Sequence, residues 1–127
     1  REDRAYLAGL LDGEGHICLI RQRLPSGRDM YRLLVGITQK SRAVLDRVVN
    51  QVGAGYVHRK KVCHQWEITG PAAKRFLLSV LPWLFIKQRK AEIAIAFQER
   101  LSALRYKHAP TGWQVQWKVA ITEAINA

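Results

Sequence analysis

The sequence predicts an α+β fold in which helices and β-hairpins alternate in the order αββαββα, followed by further helices. Apolar residues recur at helical spacing in some segments and alternate with polar residues in others. Gly and Pro residues separate the segments of different periodicity. The 127 residues, 48% of them hydrophobic and four of them Trp, fit one domain over 1–127 with a sizeable core.

The first helix is predicted over Asp3–Asp12, with two stripes at helical spacing. The apolar stripe, which suits a core, consists of Leu7, Leu10 and Leu11. The stripe of small residues consists of Ala5, Gly9 and Gly13. Gly costs about 1 kcal/mol relative to Ala inside a helix, so we expect this second stripe to pack closely on another helix. Glu14 would then project from the end of the helix, between two glycines.

Two hairpins and a helix follow. The first hairpin is predicted from strands over 16–24 and 31–39, joined by the turn PSGRDM. Ser41 is expected to cap a helix over 42–52 that stops at Gly53. The second hairpin is predicted from strands over 55–61 and 62–69, ending at Gly70-Pro71.

The C-terminal part of the sequence is predicted to be helical. Pro71 starts a helix over 72–81, which Pro82 breaks. A helix over 87–101 follows, and a final helix over 113–125 begins after Thr111-Gly112. One face of that final helix carries Trp113, Trp117 and Ile121.

The charge of the sequence indicates a polyanionic partner. The formal net charge is +11 and the isoelectric point about 10.3, so nucleic acid is the leading candidate. From Arg21 to Lys61 there are ten Lys and Arg residues against only Asp29 and Asp46. We expect that segment to hold the nucleic-acid footprint.

Both hairpins would form one antiparallel sheet with helices on one face and the other face free. A twisted sheet of this kind can lie in the major groove of DNA. A solvated sheet face is the alternative. The polar and basic residues that can project from the free face are Gln22, Arg32, His58, Lys60, Gln65 and Glu67.

The sequence gives weak support to a disulfide-rich, a zinc-binding or a membrane-spanning protein. Cys18 and Cys63 lack CxxC spacing, so neither a disulfide framework nor a zinc ribbon is indicated. A zinc site drawn from these cysteines with His16 and His64 would not have finger spacing either. The longest apolar run, LLSVLPWLFI, is too short to span a membrane and contains Pro82.

The stretch LAGLLDGEG, residues 7–15, resembles the motif that names the LAGLIDADG homing endonucleases, with Glu in place of Asp at the eighth position. Residues 37–41, ITQKS, resemble a segment at the end of the second strand in single-motif members. Residues 55–57, GYV, resemble their third-strand entry, and residues 84–88, LFIKQ, the segment that carries an active-site lysine. These segments span most of the chain in the expected order.

The resemblance implies a fold whose sheet lies as a saddle on DNA, and it implies site residues. Glu14 and the carbonyl of Gly13 would bind Mg²⁺ or Mn²⁺, which suits oxygen ligands. Gln39 would position solvent, and Lys87 and Arg42 would form a basic pocket at the scissile phosphate. Independently of the resemblance, phosphate contacts by Lys40, Arg59, Lys61 and the Arg21/Arg23 region are expected to supply most of the affinity. Because the motif occurs once, the resemblance implies a homodimer that meets through Ala5, Gly9 and Gly13.

The implied function is metal-dependent hydrolysis of both strands of a long pseudo-palindromic DNA target. Short 3′ overhangs and mobility of the host intron are part of that expectation. Two alternatives remain open, an intron RNA maturase and a non-catalytic DNA-binding regulator. The presence of Glu14, Gln39 and Lys87 favours cleavage. The location is expected to be an organelle, such as a chloroplast or mitochondrion, or a prokaryotic cytoplasm.

Overall fold

Helices and strands alternate in the predicted order αββαββα, with one further long helix. The computed structural model describes residues 2–104, 121–122 and 125–126. Its elements are α1 (Glu2–Glu14), β1 (Gly15–Arg23), β2 (Asp29–Gln39), α2 (Arg42–Val52), β3 (Tyr56–Arg59), β4 (His64–Thr69), α3 (Gly70–Val80) and α4 (Gln88–Leu104). A 3₁₀ turn over Leu81–Trp83 contains Pro82. Most of the helix predicted over 113–125 lies outside the described residues.

Two element boundaries differ from the prediction in ways that affect the site. Helix α1 ends at Glu14, two residues beyond the predicted end at Asp12. Strand β1 begins at the next residue, so no loop separates the two elements. The second hairpin has a longer turn than predicted, since the N–H of Lys60 donates to the carbonyl of Cys63 over 2.8 Å. Lys60 therefore lies in the turn and not in β3.

Helix α2 has the predicted bounds, but only one of its two predicted caps. Ser41 occupies the N-cap position without a side-chain capping hydrogen bond. Gly53 ends the helix with φ 75°, in the left-handed region that glycine adopts at low cost, and its N–H donates to the carbonyl of Val49.

The strands form one antiparallel sheet in the order β1-β2-β4-β3. Alternate residues face the helices, and these form the core with the apolar residues of α1, α3 and α4. The register therefore assigns every strand residue either to the core face or to the open face. The largest fully buried strand side chains are Leu33, Val35, Ile37 and Trp66.

No helix in the described ranges has the length and apolar character needed to cross a membrane.

Among the described residues, Trp66 is the largest fully buried side chain, and it fixes the chain that leads into β3. Its indole N–H donates to the carbonyl of Ala54 over 3.2 Å, and its ring packs edge-on against Phe76 with 5.2 Å between centroids. Gly55 has φ 88° and lies so close to the indole that an added Cβ would overlap Trp66 and come within 2.7 Å of the Glu67 carbonyl oxygen. Only glycine satisfies both constraints.

The outer edge of β1 is covered by a residue far away in the chain. The side-chain oxygen of Asn126 accepts a hydrogen bond from the N–H of Leu19 over 3.1 Å, and its amide nitrogen donates to the carbonyl of Leu19 over 3.0 Å. An asparagine amide thus pairs with an edge residue as a neighbouring strand would.

We predict that Gly55→Ala destabilises the protein much more than Gly27→Ala, the matched control. Gly27 has φ 86°, but the described structure has no atom within 4 Å of an added Cβ there. The control should lose about 1–2 kcal/mol for its backbone conformation, and Gly55→Ala about 1–3 kcal/mol more for overpacking against Trp66. Urea unfolding measures both losses. Equal losses would contradict the packing of Trp66 on Gly55.

Candidate active site and nucleic-acid interface

Negative charge is concentrated at the end of α1. Asp12 and Glu14 lie in its last turn, which carries no basic residue. The last carbonyl groups of a helix have no partner within it, and the helix dipole adds partial negative charge at the same end. Cations therefore interact favourably with this end of α1.

Gln39, the last residue of β2, contacts the carboxylate at the end of α1. Its Nε2 donates a hydrogen bond to Oε2 of Glu14. The pairing of Gly15 with Ile37 sets this contact, because β1 starts directly after Glu14 and runs beside the end of β2. The hydrogen bond leaves the second carboxylate oxygen of Glu14 and the amide oxygen of Gln39 available as acceptors.

Lys87 reaches the same end of α1 from the segment before α4. Its ammonium nitrogen donates to the main-chain carbonyl of Asp12 over 2.8 Å. The structure therefore brings together Glu14, Gln39 and Lys87, as expected from the sequence.

Asp12 also contacts this segment, a contact that was not expected from the sequence. Its two carboxylate oxygens accept hydrogen bonds from the main-chain N–H groups of Phe85, over 2.8 Å, and Lys87, over 2.9 Å. The signal in the sequence was a second acid in the last turn of a helix, where the dipole disfavours it. Such a residue needs a partner, but no local pattern indicates that the partner lies 75 residues away.

Arg42 does not join this group in the structure. Its Nε lies 3.6 Å from Oδ1 of Asp46, an ion pair within α2, and its side chain is half-exposed. Asp46 lies four residues along α2 from Arg42, a spacing that brings the two side chains together on one helix face. The place of Arg42 in the basic pocket therefore stays a prediction.

The small-residue stripe of α1 faces away from the rest of the chain. Ala5, Gly9 and Gly13 are all exposed. In the described structure, a Cβ added at Gly9 or Gly13 would meet no atom within 4 Å. These glycines therefore do not serve packing within one chain, and they leave a flat helix surface beside the carboxylate of Glu14.

The strand register confirms which side chains share the open face of the sheet. Cross-strand partners lie on the same face, so one row runs from His16 through Gly36 and Glu67 to Tyr56. On one side of this row, three further rows hold Cys18 with Leu34 and Thr69, Ile20 with Arg32, and Gln22 with Met30. On its other side, the next row holds Thr38, Gln65 and His58. Of the predicted open-face residues, only Lys60 lies outside the strands.

His16 lies over Gly36 on this face. A Cβ at Gly36 would come within 2.5 Å of the imidazole Cε1. Burial lowers the pKa of His16 from its ordinary value, and Lys60 and Lys87 lower it further against the opposing effect of Glu67. Gln65, expected to project from the sheet, is only 6% exposed, and its Nε2 lies 3.5 Å from Nε2 of His16. Gln65 is therefore the more buried of the two side chains, and the imidazole of His16 supplies the polar surface at this point of the open face.

His58 and Glu67 form a polar pair across β3 and β4, on the side of the open face farthest from β1. Their imidazole Nε2 and carboxylate Oε1 are in contact, and Tyr56 lies beside His58 with 5.7 Å between ring centroids. The carboxylate of Glu67 therefore has an imidazole as its polar neighbour on this face.

Exposed cationic residues lie at one end of this face, next to the pairing of Gln39 and Arg59 with His64. They are Lys40 after β2, Arg59 at the end of β3, and Lys60 and Lys61 in the following turn. At the far end of the first hairpin, Arg21 and Arg23 pair with Asp29 at 2.8 Å and 3.6 Å, so their charge is partly compensated.

A single chain offers an incomplete set of metal ligands. Among the residues that the structure describes, no group of three or more His, Cys, Asp and Glu side chains could hold a metal ion. The end of α1 does offer the exposed carboxylate of Glu14 and terminal main-chain carbonyls. Mg²⁺ commonly binds through one or two carboxylates together with substrate phosphates and water, so this donor set fits such an ion.

The sequence is similar to that of a DNA endonuclease. No protein-family model matches it. The chain is 30% identical over 112 residues to the DNA endonuclease I-CreI of Chlamydomonas reinhardtii, covering 83% of this chain and 68% of that protein.

Solved structures share the fold. The homing endonuclease I-CvuI, in complex with an I-CreI target, superposes with a TM-score of 0.87 at 16% identity, covering 98% of this chain and 80% of that one. The LAGLIDADG homing endonuclease I-SmaMI, bound to cleaved DNA, superposes with a TM-score of 0.78 at 16% identity, covering 94% of this chain and 42% of that one. Together, the motif, the fold and the similarity to I-CreI show that the chain belongs to the LAGLIDADG homing endonuclease family.

Proposed function

We propose that the chain is the protomer of a homodimeric, metal-dependent DNA endonuclease that hydrolyses both strands of a long pseudo-palindromic target. We include in this proposal short 3′ overhangs and mobility of the host intron. The observation that carries it is the meeting of Glu14, Gln39 and Lys87 at the end of α1, beside an exposed helix face made of small residues. This arrangement supports assigning metal binding, solvent positioning and phosphate binding to three residues of one site.

Glu14 and the carbonyl of Gly13 would hold the Mg²⁺ or Mn²⁺ ion. Such an ion lowers the pKa of bound water and stabilises the attacking and leaving oxygens of a phosphodiester. The free carboxylate oxygen of Glu14 and the terminal carbonyls of α1, which have no partner within the helix, support this assignment.

Gln39 and Lys87 would act directly on water and phosphate. Gln39 uses its amide nitrogen on Glu14, which leaves its amide oxygen to orient a water molecule. Lys87 uses one of its three N–H donors on the Asp12 carbonyl, which leaves two for a phosphate oxygen that gains charge in the transition state.

The open face of the sheet would bind the DNA major groove. Its polar side chains suit base edges, its apolar residues Ile20 and Met30 suit thymine methyl groups, and the exposed cations at one end suit phosphates. The formal charge of +11 supplies the electrostatic attraction.

The arrangement at the end of α1 supports a homodimer. One site holds one Glu14, and cleavage of two strands requires two such sites. Contact between the stripes of Ala5, Gly9 and Gly13 in two copies would bring both carboxylates to the two-fold axis. It would also offset the helix-propensity cost of the two glycines.

We predict that Glu14→Gln abolishes cleavage in Mg²⁺ while DNA binding in Ca²⁺ is retained. Gln keeps the size of the side chain and its hydrogen bond to Gln39, and it removes only the charge that holds the metal. Loss of an outer-shell partner already costs about 10–100-fold in many metal sites, so loss of a direct ligand should cost more than about 100-fold in rate. A cleavage assay on a randomised DNA library, with sequencing of the ends, provides the target and the rate.

Glu2→Gln is the matched control, because it removes the same charge from the exposed start of the same helix. It should cleave at the wild-type rate. A Glu14→Gln protein that cuts as fast as this control would overturn the metal assignment. Tight, salt-sensitive binding by the wild-type chain without any cleavage would indicate a regulator or a maturase.

We predict that Gly9→Leu has opposite effects on folding and on association. Leu favours the helix over Gly by about 0.8–1 kcal/mol, and the described structure has no atom near the site in one chain. The variant should therefore melt at an equal or higher temperature as a monomer, yet sediment as a monomer where the wild type is a dimer. A variant that remains dimeric would place the interface elsewhere.

We predict that bound DNA protects Cys18 from alkylation. Cys18 lies on the open face, opposite Leu34, and burial raises the pKa of its thiol, so iodoacetamide should already react slowly with it at pH 7. In a Cys63→Ser background, DNA with Ca²⁺ should slow the reaction at least tenfold. The unfolded protein gives the reference rate. Unchanged reactivity in the complex would show that DNA does not lie on this face.

A further inference from the structure

The segment that carries Lys87 has few side-chain anchors. Phe85 and Ile86, directly before Lys87, are 89% and 71% exposed, and only Leu84 of this segment is buried. The main-chain N–H groups of Phe85 and Lys87 donate to the two carboxylate oxygens of Asp12. The other main-chain hydrogen bonds of this segment are local ones, from Leu84 to Leu81 and from Ala91 to Lys87. The position of Lys87 therefore depends on a residue of α1.

Asp12 also fixes the head of the lysine side chain. The ammonium group of Lys87 donates to the Asp12 carbonyl, so one residue contacts Lys87 at both its main chain and its Nζ. These two contacts define where the ammonium group lies relative to Glu14, two residues further along α1. A geometry set at both ends leaves the long lysine side chain little freedom.

We propose that Asp12 is the positioning residue for Lys87, and that it sets the rate of DNA cleavage without contributing to DNA affinity or metal affinity. This rests on the proposed function, in which Lys87 contacts the scissile phosphate. The carboxylate oxygens of Asp12 already accept main-chain hydrogen bonds, whereas Glu14 keeps a free oxygen. The two acids of the last turn of α1 thus have different tasks.

The test is Asp12→Asn, which keeps the shape of the side chain but turns an NH₂ group toward one of the two N–H donors. Misplacement of a reacting group by about 1 Å can cost about 100-fold in rate. We expect the single-turnover cleavage rate to fall 10-fold to 100-fold. The Kd for DNA in Ca²⁺ and the Mg²⁺ concentration at half-maximal rate should stay within twofold. A raised Mg²⁺ requirement would overturn the proposal and make Asp12 a metal ligand.

Asp3→Asn is the matched control, since it removes the same charge from the same helix at a site remote from Lys87. It should cleave at the wild-type rate. Asp12→Glu keeps both acceptor oxygens and moves them by one methylene, so its rate should lie between those of wild type and Asp12→Asn. This second variant retains the charge if Asp12→Asn folds poorly.

A double-mutant cycle with Lys87→Ala separates positioning from any independent role of Asp12. If Asp12 acts through Lys87, Asp12→Asn should lower the residual rate of Lys87→Ala by less than twofold. A full 10-fold to 100-fold loss in that background would overturn the proposal. So would an Asp12→Asn protein as active as the wild type.

Hydrogen exchange provides a measurement that does not depend on cleavage. The amide hydrogens of Phe85 and Lys87 should exchange at least tenfold faster in Asp12→Asn than in Asp3→Asn. Unchanged exchange would overturn the proposed clamp even if cleavage falls. If the wild-type chain cleaves no DNA but the two variants still differ in exchange, the proposed function is contradicted. The hydrogen bonds from Phe85 and Lys87 to Asp12 are then still supported.

Discussion

The contact between the end of α1 and the start of α4 through Asp12 determines the geometry of the candidate active site. Each of these helix ends has main-chain groups without partners inside its helix. They are carbonyl groups at the end of α1 and N–H groups at the start of α4. Asp12 joins the two ends, because its carboxylate accepts N–H groups before α4 and its carbonyl accepts the ammonium of Lys87. Glu14 is then the acid at this end without a fixed cation, which suits a ligand for an exchangeable metal ion.

Much of the fold could be predicted because it depends on local patterns. Helix α2 between Arg42 and Val52 follows from apolar spacing and from Gly53, and strand alternation placed Gln22, Arg32, His58, Gln65 and Glu67 on one face. Glu14, Gln39 and Lys87 could be predicted through their resemblance to family segments. These features are specified by residues near one another in the sequence.

The parts that could not be predicted depend on packing between distant segments. Nothing near Asp12 in the sequence indicates its contact with Phe85, and nothing near Gln65 indicates that His16 covers it. Arg42 illustrates the opposite case, because a local ion pair with Asp46 competes with its expected place in the site. Lys60 differs for a third reason, since the length of a hairpin turn depends on the hydrogen bonds that close it.

The alternation of core and open-face residues along the strands has an evolutionary consequence. Substitutions at Gln22, Arg32 or Glu67 change the surface that faces outward, while Leu33, Val35 and Trp66 beside them maintain the hydrophobic interior. In the proposed function, target preference and thermodynamic stability are thus encoded by different positions of the same strands. A lineage can therefore drift toward a new DNA sequence through many small steps without first acquiring a compensating change in its core.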